Sequence, residues 1–391
     1  MTAFKLVAVV LTVAVVSTSA VVAVAVWDFN KTVDDNAIDI TDGDAVASVP
    51  QLESYENGFN VLLVGIDNDA TQSAAYGERE GTLNDVNILV HVSADHTNAV
   101  VVSIPRDLIV PHPECTDATS EAEFSAMAAR PVNEAMSRGG LPCVVKTVSE
   151  LTGLTIPYAG LISFDGVVQM SDAVGGVPIC LNAAINDPAA GLDLPAGTSI
   201  VAGDTALAFL RSRKGVGDRS DLARISSQQI YMASLMRTVQ GNGTLTSIPT
   251  LINLANAAAT NIKLSTSLAD TDTMVSMALA LQDIDLDRLL FVQYPGTTED
   301  FDFPGKVVPR EKVAAEMFTK LDNDEPFILP GTTPTPEPTP NAQVPVETST
   351  PTSTPTPSET AAPAPQPTVQ ALDGLTGQTA QDDSCAQASA G

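Results

Sequence analysis

The sequence is poor in the residues that commonly mark an active site. It contains three histidines and one tryptophan, and aromatic residues make up only 4% of the chain. The GxSxG and SxxK motifs of serine enzymes and the phosphate-binding GxxxxGK[ST] loop are all absent. These absences exclude the commonest serine-hydrolase, penicillin-binding and P-loop functions, and they predict a core built mostly from aliphatic side chains.

Positive charge is also scarce in this chain. Only 19 residues are Lys or Arg against 47 that are Asp or Glu, which gives a net charge of −28. A surface this acidic repels nucleic acid, so we expect no nucleic-acid partner. The few arginines therefore become informative, because a cluster of them would form a local site for an anion.

The N-terminus carries the one long apolar run. Residues 4–26 would span roughly 34 Å as a helix, enough for a bilayer core. Lys5 precedes the run and aspartates follow it, which predicts a single-pass anchor with the bulk of the chain outside the cytoplasm. A cleaved signal peptide is the alternative, since Thr18-Ser19-Ala20 resembles a cleavage site and would give a secreted protein.

The four cysteines fit an extracytoplasmic location. None belongs to a CxxC or Cys/His pattern, so a zinc site is not expected. An even number in an exported chain predicts two disulfides, for which the sequence allows three pairings. We favour a local bridge and a tail-to-domain bridge, with isolated buried thiols as the alternative. The pairs would be Cys115–Cys143 and Cys180–Cys385.

Composition divides the chain into four parts. We predict an anchor or signal peptide over 1–27, an acidic stem over 28–57 and a folded domain over 58–328. Residues 329–391 form a Pro/Thr/Ser-rich tail with a terminal cysteine, in which repeats such as TPTPEPTP predict disorder because they bury little apolar surface.

Strand and helix patterns alternate within the predicted domain. Asn60–Asp67, Val86–Val92 and Val100–Ile104 read as buried strands, and Ser220 predicts the start of a helix that runs to about Thr238. Leu141–Leu151 is a second predicted helix, with Gly153 as its stop. Strands that alternate with helices indicate an α/β domain with a central mixed sheet.

Charged residues lie at the ends of the first three predicted strands. Asp67 closes the first strand, Asp85 opens the second, and Arg106 and Asp107 follow the third. If the strands are neighbours, these side chains gather at one edge of the sheet, where α/β proteins commonly bind ligands. Two carboxylates close together suit Mg²⁺ with phosphate co-ligands. The alternative is ordinary turn chemistry for the aspartates.

A second group of charges follows further along. Several cationic side chains fall within fourteen residues, and Gln228 lies four residues after the last of them on the same helical face. Forked guanidinium groups match phosphate oxygens, so together they predict a pyrophosphate site, with a solvated basic loop as the alternative. The cations are Arg211, Arg213, Lys214, Arg219 and Arg224.

These segments resemble the LytR-CpsA-Psr (LCP) family of wall-polymer ligases in its actinobacterial form. The resemblance covers roughly 58–325 and is carried by NVLLVGID, LNDVNILVHV, VVVSIPRDL and the LRSR…DLARISSQQ block. It implies an extracytoplasmic α/β domain with an apolar tunnel for a lipid. It also implies a phosphotransferase that moves a glycopolymer from a polyprenyl-pyrophosphate carrier to peptidoglycan as a phosphodiester.

The resemblance assigns roles to individual residues. Asp67 and Asp85 match the Mg²⁺ ligands, and Gln228 matches a glutamine of the substrate site. Asp107 and the metal-site aspartates are candidates for the carboxylate that takes a proton from the acceptor. The arginines that match the pyrophosphate-binding set are Arg106, Arg211, Arg213 and Arg224.

The chain departs from the family pattern at two positions. Leu83 and Ser227 stand where arginines are usual, which removes positive charge, and Lys214 or Arg219 are candidates to compensate. The weakened arginine set leaves two alternative functions open. One is transfer of the glycan onto a surface protein, and the other is a non-catalytic surface protein that binds polyprenyl-linked glycans.

Overall fold

The structure is a computed structural model, and it describes residues 29–41, 58–67, 82–117, 120–241, 254, 257–269, 271–282, 284–331 and 370–389. The predicted anchor over 4–26 lies outside these ranges. Within them, no helix has both the length and the apolar character that a membrane crossing requires.

The described elements alternate between strands and helices, as predicted. The strands are β1 Phe59–Ile66, β2 Asn84–Val92, β3 Ala99–Ile104, β4 Ile109–His112, β5 Cys115–Thr116, β6 Glu123–Phe124, β7 Met127–Pro131, β8 Tyr158–Ile162, β9 Val177–Leu181, β10 Ile185–Asp187, β11 Leu192–Leu194, β12 Gly197–Val201, β13 Ile262–Leu264, β14 Leu289–Gln293, β15 Gly296–Thr297, β16 Val308–Pro309, β17 Phe327–Ile328, β18 Gln370–Ala371 and β19 Thr376–Thr379. The helices are α1 Met136–Thr152, α2 Phe164–Ala173, α3 Gly203–Arg211, α4 Asp221–Gly241, α5 Thr271–Gln282 and α6 Glu311–Asp322.

A seven-stranded sheet forms the centre of the domain, in the order β13-β8-β1-β2-β3-β14-β19. The pairs β1–β8 and β3–β14 are parallel, and the others are antiparallel. The sheet is therefore mixed and lies between helices, as the sequence predicted.

The side chains of β1 alternate between two apolar layers. Leu62 and Val64 pack with Val144 of α1 and Met317 of α6 on one face. Val61 belongs to the opposite layer, which includes residues of α4 and α5. Period-two alternation directs successive side chains of β1 into these two layers.

The helix α1 begins earlier than the prediction because it contains a kink. Gly139 and Gly140 leave the helical conformation, and Gly140 has φ +65°. The regular part after this kink corresponds to the predicted helix. It ends at Gly153, which has φ +75° and donates its N–H to the Ser149 carbonyl, so the predicted glycine stop is confirmed.

Both disulfides favoured from the sequence are present. Cys115 pairs with Cys143 near the start of α1, and Cys180 on β9 pairs with Cys385 in the tail. No described cysteine is free. The second bridge joins residues 205 positions apart and ties the C-terminal segment to the domain.

Residues 370–389 are part of the folded domain rather than a disordered tail. β19 pairs with β14 as an edge strand of the central sheet, and β18 pairs with β17. From the predicted stem, Ile38 forms a bridge with Ser265. Backbone pairing and a disulfide supply the order that composition alone does not predict. The proline-rich part of the tail lies outside the described residues.

Candidate functional site

The ends of β1, β2 and β3 meet at one edge of the sheet. β2 runs antiparallel to both neighbours, with Ile66 opposite Asn84 and Asn87 opposite Ile104. The residues just after β1 and β3 therefore lie beside the start of β2. This confirms the predicted geometry, in which charged strand ends gather at one place.

Arg106 connects two of the predicted carboxylates. Its guanidinium forms a salt bridge with Asp85, and its Nε lies 3.4 Å from Oδ2 of Asp107. Burial by itself would lower the pKa of Arg106, but the carboxylates of Asp85 and Asp107 raise it above its ordinary value. Arg106 is therefore a fixed positive charge at the sheet edge.

Lys306 is a cation of this cluster that the sequence analysis missed. Its Nζ lies 2.7 Å from Oδ1 of Asp107, although the two residues are 199 positions apart. Burial would raise the pKa of Asp107, but hydrogen bonds from Lys306 and Arg106 lower it overall. The backbone fixes the contact, because Val307 donates to the Asp107 carbonyl at 3.1 Å. Asp107 thus remains ionised between two cations.

Helix α4 brings Arg224 to the same place. The hydroxyl of Ser220 accepts a hydrogen bond from the Ala223 N–H at 3.1 Å, so the predicted helix start is confirmed. Arg224 is only 6% exposed. It binds Asp221 at 2.8 Å and donates to the Asp85 carbonyl at 3.3 Å. Burial lowers its pKa, while the carboxylate of Asp221 opposes that effect.

Asp221 holds two arginines at once and was also missed from the sequence. Besides Arg224, it binds NH2 of Arg213 at 3.0 Å. Its second carboxylate oxygen is buried without a hydrogen-bond partner among the described residues. The signal available in the sequence was its place at the first turn of a predicted helix, three residues before Arg224.

Arg211 and Gln228 have contacts outside this cluster. The Arg211 guanidinium lies over the Phe164 ring, 4.5 Å from its centroid. Gln228 donates from its amide to the Leu210 carbonyl at 3.0 Å, which links α4 to the end of α3. In this structure Gln228 positions the segment that carries the arginines.

Asp67 lies at the end of β1 and is 1% exposed. It accepts a hydrogen bond from the Leu83 N–H at 3.4 Å, so Leu83 takes part through its backbone. No group of three or more metal-binding side chains occurs in the described ranges. Mg²⁺ needs only one or two carboxylates when phosphates complete its coordination. Asp67 and Asp85, at adjacent strand ends, therefore fit Mg²⁺ by the chemistry of their oxygens.

Salt bridges join the four cations of the cluster to three carboxylates. The cations are Arg106, Arg213, Arg224 and Lys306, and the carboxylates are Asp85, Asp107 and Asp221.

Ser227 stands at one of the two positions where the family usually has an arginine. Ser227 is buried and donates to the Ala223 carbonyl within its own helix. Lys214 and Arg219, the candidates for compensation, line a cavity on the other side of their loop. Lys306 is the additional cation that contacts this cluster.

A partly exposed apolar surface lies on the α4 side of the sheet. Leu63 is 37% exposed although β1 is a central strand. Its cross-strand neighbour Ile88, together with Met232 and Met236 of α4, is only partly buried. A central strand with an exposed leucine indicates incomplete packing on this face.

Comparison with known proteins identifies the class to which this fold and cluster belong. The chain belongs to the LytR_cpsA_psr family, whose model matches residues 23–323. It is 30% identical over 270 residues to the cell wall biosynthesis protein LcpA of Corynebacterium glutamicum, covering 63% of this chain and 51% of that protein. The chain thus spans about half the length of that relative.

Two further relatives extend the comparison. The Bacillus subtilis polyisoprenyl-teichoic acid–peptidoglycan teichoic acid transferase TagT is 24% identical over 256 residues, which cover 64% of this chain and 73% of that protein. The solved LytR-Csp2A-Psr enzyme from Actinomyces oris superimposes with a TM-score of 0.52 at 18% identity. That match covers 68% of this chain and 90% of that structure, and it supports the fold.

Proposed function

We propose that this chain is a Mg²⁺-dependent phosphotransferase that moves a glycopolymer from a polyprenyl-pyrophosphate carrier to peptidoglycan as a phosphodiester. One observation carries the proposal: Arg106, Arg213 and Arg224 converge with carboxylates at a single sheet edge. TagT, whose name states transfer of teichoic acid from a polyisoprenyl carrier to peptidoglycan, supports the same reaction class.

The arginines suit a pyrophosphate because their guanidinium groups are already held close together and are partly removed from water. Asp85 binds Arg106, and Asp221 binds both Arg213 and Arg224. These carboxylates keep the guanidinium groups close together despite their mutual repulsion. An incoming pyrophosphate would compete for the same donors and gain several hydrogen bonds at once. Arg211, on the Phe164 ring, would join on binding.

Asp67 and Asp85 would hold Mg²⁺. The ion, when bound, neutralises charge that develops on the phosphate oxygens and on the leaving lipid phosphate. Asp67 is buried and fixed at its strand end, which suits a ligand of defined position. Asp85 would exchange part of its salt bridge with Arg106 for this role.

The transfer itself is a displacement at the sugar-linked phosphorus. An acceptor hydroxyl oxygen forms the new P–O bond, and the bond to the bridging oxygen breaks so that the lipid phosphate leaves. Asp107 is a weak proton acceptor because its pKa is lowered, so we assign it to orienting Arg106. The hydroxyl proton passes to a metal-site carboxylate or to water.

The lipid chain would lie against the partly exposed apolar surface near Leu63. An anchor over 4–26 would hold the domain at the outer face of the cell membrane, where this donor and acceptor are found. Both disulfides suit that oxidising location.

The test uses the full chain in detergent with a polyprenyl-pyrophosphate-linked glycan and peptidoglycan. We expect lipid phosphate to appear only with Mg²⁺. We expect Arg106→Ala to reduce its release at least about 100-fold, because the Arg106 guanidinium binds charge that develops in the transition state. Arg310→Ala, at an exposed arginine, is the matched control and should leave the rate unchanged.

Two results would change the proposal. A chain that binds the lipid donor but releases nothing with any acceptor would be a binding protein. Release that requires a surface protein instead of peptidoglycan would change the acceptor and leave the reaction as proposed.

A further inference from the structure

A cavity lies beside the loop that carries Arg213. Its volume is about 540 Å³, within the roughly 300–1,000 Å³ typical of pockets for small ligands. We call residues 212–220 the cationic loop. The cavity lies between this loop, the β10–β11 hairpin and the end of the tail. Its polar lining residues include Asn186, Asp187, Lys214, Arg219 and Ser389.

The one carboxylate in the lining is engaged by hydrogen bonds from the loop. Asp187 is 2% exposed. It accepts from the Ser212 hydroxyl at 2.9 Å and from the Lys214 N–H at 3.1 Å. These bonds lower the pKa of Asp187, although burial would raise it. Asp187 therefore shapes the loop and is a poor ligand for a cation in the cavity.

The tail closes the cavity and fixes the loop. Ser389 donates from its N–H to the Gly215 carbonyl at 2.9 Å and from its hydroxyl to the Lys214 carbonyl at 2.8 Å. Gly217 donates to the Gln387 carbonyl at 2.8 Å. The Cys180–Cys385 disulfide holds this segment in place, so the cavity wall is covalently tethered.

Both cations of the cavity come from the cationic loop. Lys214 is exposed, and its ammonium has no hydrogen bond or ion pair with a described residue. Arg219 adds a second positive charge and has φ +69°, a conformation that a non-glycine residue seldom adopts. Arg213, the residue before Lys214, binds Asp221 in the charged cluster. One loop therefore contributes to both sites.

We propose that this cavity binds an anionic sugar residue of the substrate, through Lys214 and Arg219. The inference rests on the proposed function, since it assigns the glycan beside the transferred phosphate to this cavity. The anion is either a carboxylate or a phosphate carried by a sugar of the donor glycan. The net charge of the chain is −28, so two neighbouring cations stand out as a site for such a group. Asp187, the carboxylate beside them, is already hydrogen-bonded to the loop.

The test measures sugar binding without turnover, by ligand-observed NMR on the full chain. N-acetylmuramic acid and N-acetylglucosamine differ by a lactyl carboxylate, and N-acetylglucosamine 1-phosphate offers a phosphate. We expect the neutral sugar to bind at least about fivefold more weakly than one of the acidic sugars. Lys214→Gln should weaken that acidic sugar about fivefold, while Lys312→Gln, the same change at an exposed lysine of α6, should not.

Repeating the titrations in Arg106→Ala separates the two sites. Sugar binding that survives this change supports the cavity even if lipid turnover is never detected. The source of the anion follows from which acidic sugar responds to Lys214→Gln. The proposal is overturned if no sugar binds, if acidic and neutral sugars bind equally, if both lysine variants behave alike, or if only Arg106→Ala abolishes binding.

Discussion

The charged sheet edge and the cationic loop hold their arginines by different means. At the edge, the register of three adjacent strands brings Asp85 next to Arg106. In the loop, Arg213 depends on Asp221, and the backbone depends on a tail 175 residues away. Strand register supplies a rigid half of the site, whereas the other half depends on tertiary contacts that can be removed separately.

Removing the Cys180–Cys385 disulfide should have the largest effect on stability. In the chain-entropy account, a bridge that closes 205 residues stabilises by about 5 kcal/mol, against about 3.5 kcal/mol for one that closes 28. We therefore expect Cys180→Ser/Cys385→Ser to reduce the free energy of unfolding more than Cys115→Ser/Cys143→Ser. Denaturant titration of both variants measures the difference.

The same variants separate the loop from the edge. If the tail braces the loop, the first variant should also weaken binding of acidic sugars while Arg106 keeps its contacts. Equal effects of the two disulfides on sugar binding would show that the loop does not depend on the tail.

Asp221→Asn should have the next largest effect, because Asp221 joins the loop to helix α4. The change leaves the Arg224 guanidinium, which is 8% exposed, without its charged partner. Breaking a buried pair in this way costs about 3 kcal/mol of unfolding free energy. Chemical denaturation measures the loss.

Asp218→Asn is the matched control, because Asp218 is an exposed aspartate on the same loop. We expect it to change stability by less than about 0.5 kcal/mol. Losses of the same size in both variants would contradict the linking role of Asp221.

Lys306→Met should have the smallest effect, confined to the edge. Its ammonium contacts Asp107 and is 38% exposed, so its loss removes charge without opening a cavity. We expect the KM for the lipid donor to rise about tenfold with little change in kcat, because the charge acts equally on bound substrate and transition state. Lys306→Arg should restore donor binding.

Steady-state kinetics with Lys312→Met as the control checks this expectation. A fall in kcat at unchanged KM would instead assign Lys306 to the chemical step.

Much of the edge was predictable from sequence because strand ends follow from local patterns. Buried runs ending in Asp67 and Arg106 predict both the strands and the gathering of their ends. The N-cap at Ser220 and the stop at Gly153 follow from similarly local chemistry.

The remaining features depend on contacts that no local pattern encodes. Lys306 comes from a loop that meets the segment after β3 only in the folded domain, through the bridge between Leu108 and Val307. Composition assigned the tail to disorder, yet β19 adds a strand to the sheet. The position of Arg211 on Phe164 requires the packing of α3 against α2, which spacing along the chain does not reveal.

The most direct test of the account follows the phosphorus during transfer. A donor labelled at the sugar-linked phosphorus is incubated with the full chain, Mg²⁺ and peptidoglycan, and the label is then located. We expect the label to appear in a phosphodiester between glycan and peptidoglycan, and Arg106→Ala to abolish this product. Label that remains on the lipid, or is released as inorganic phosphate while glycan is transferred, would contradict phosphoryl transfer by this site.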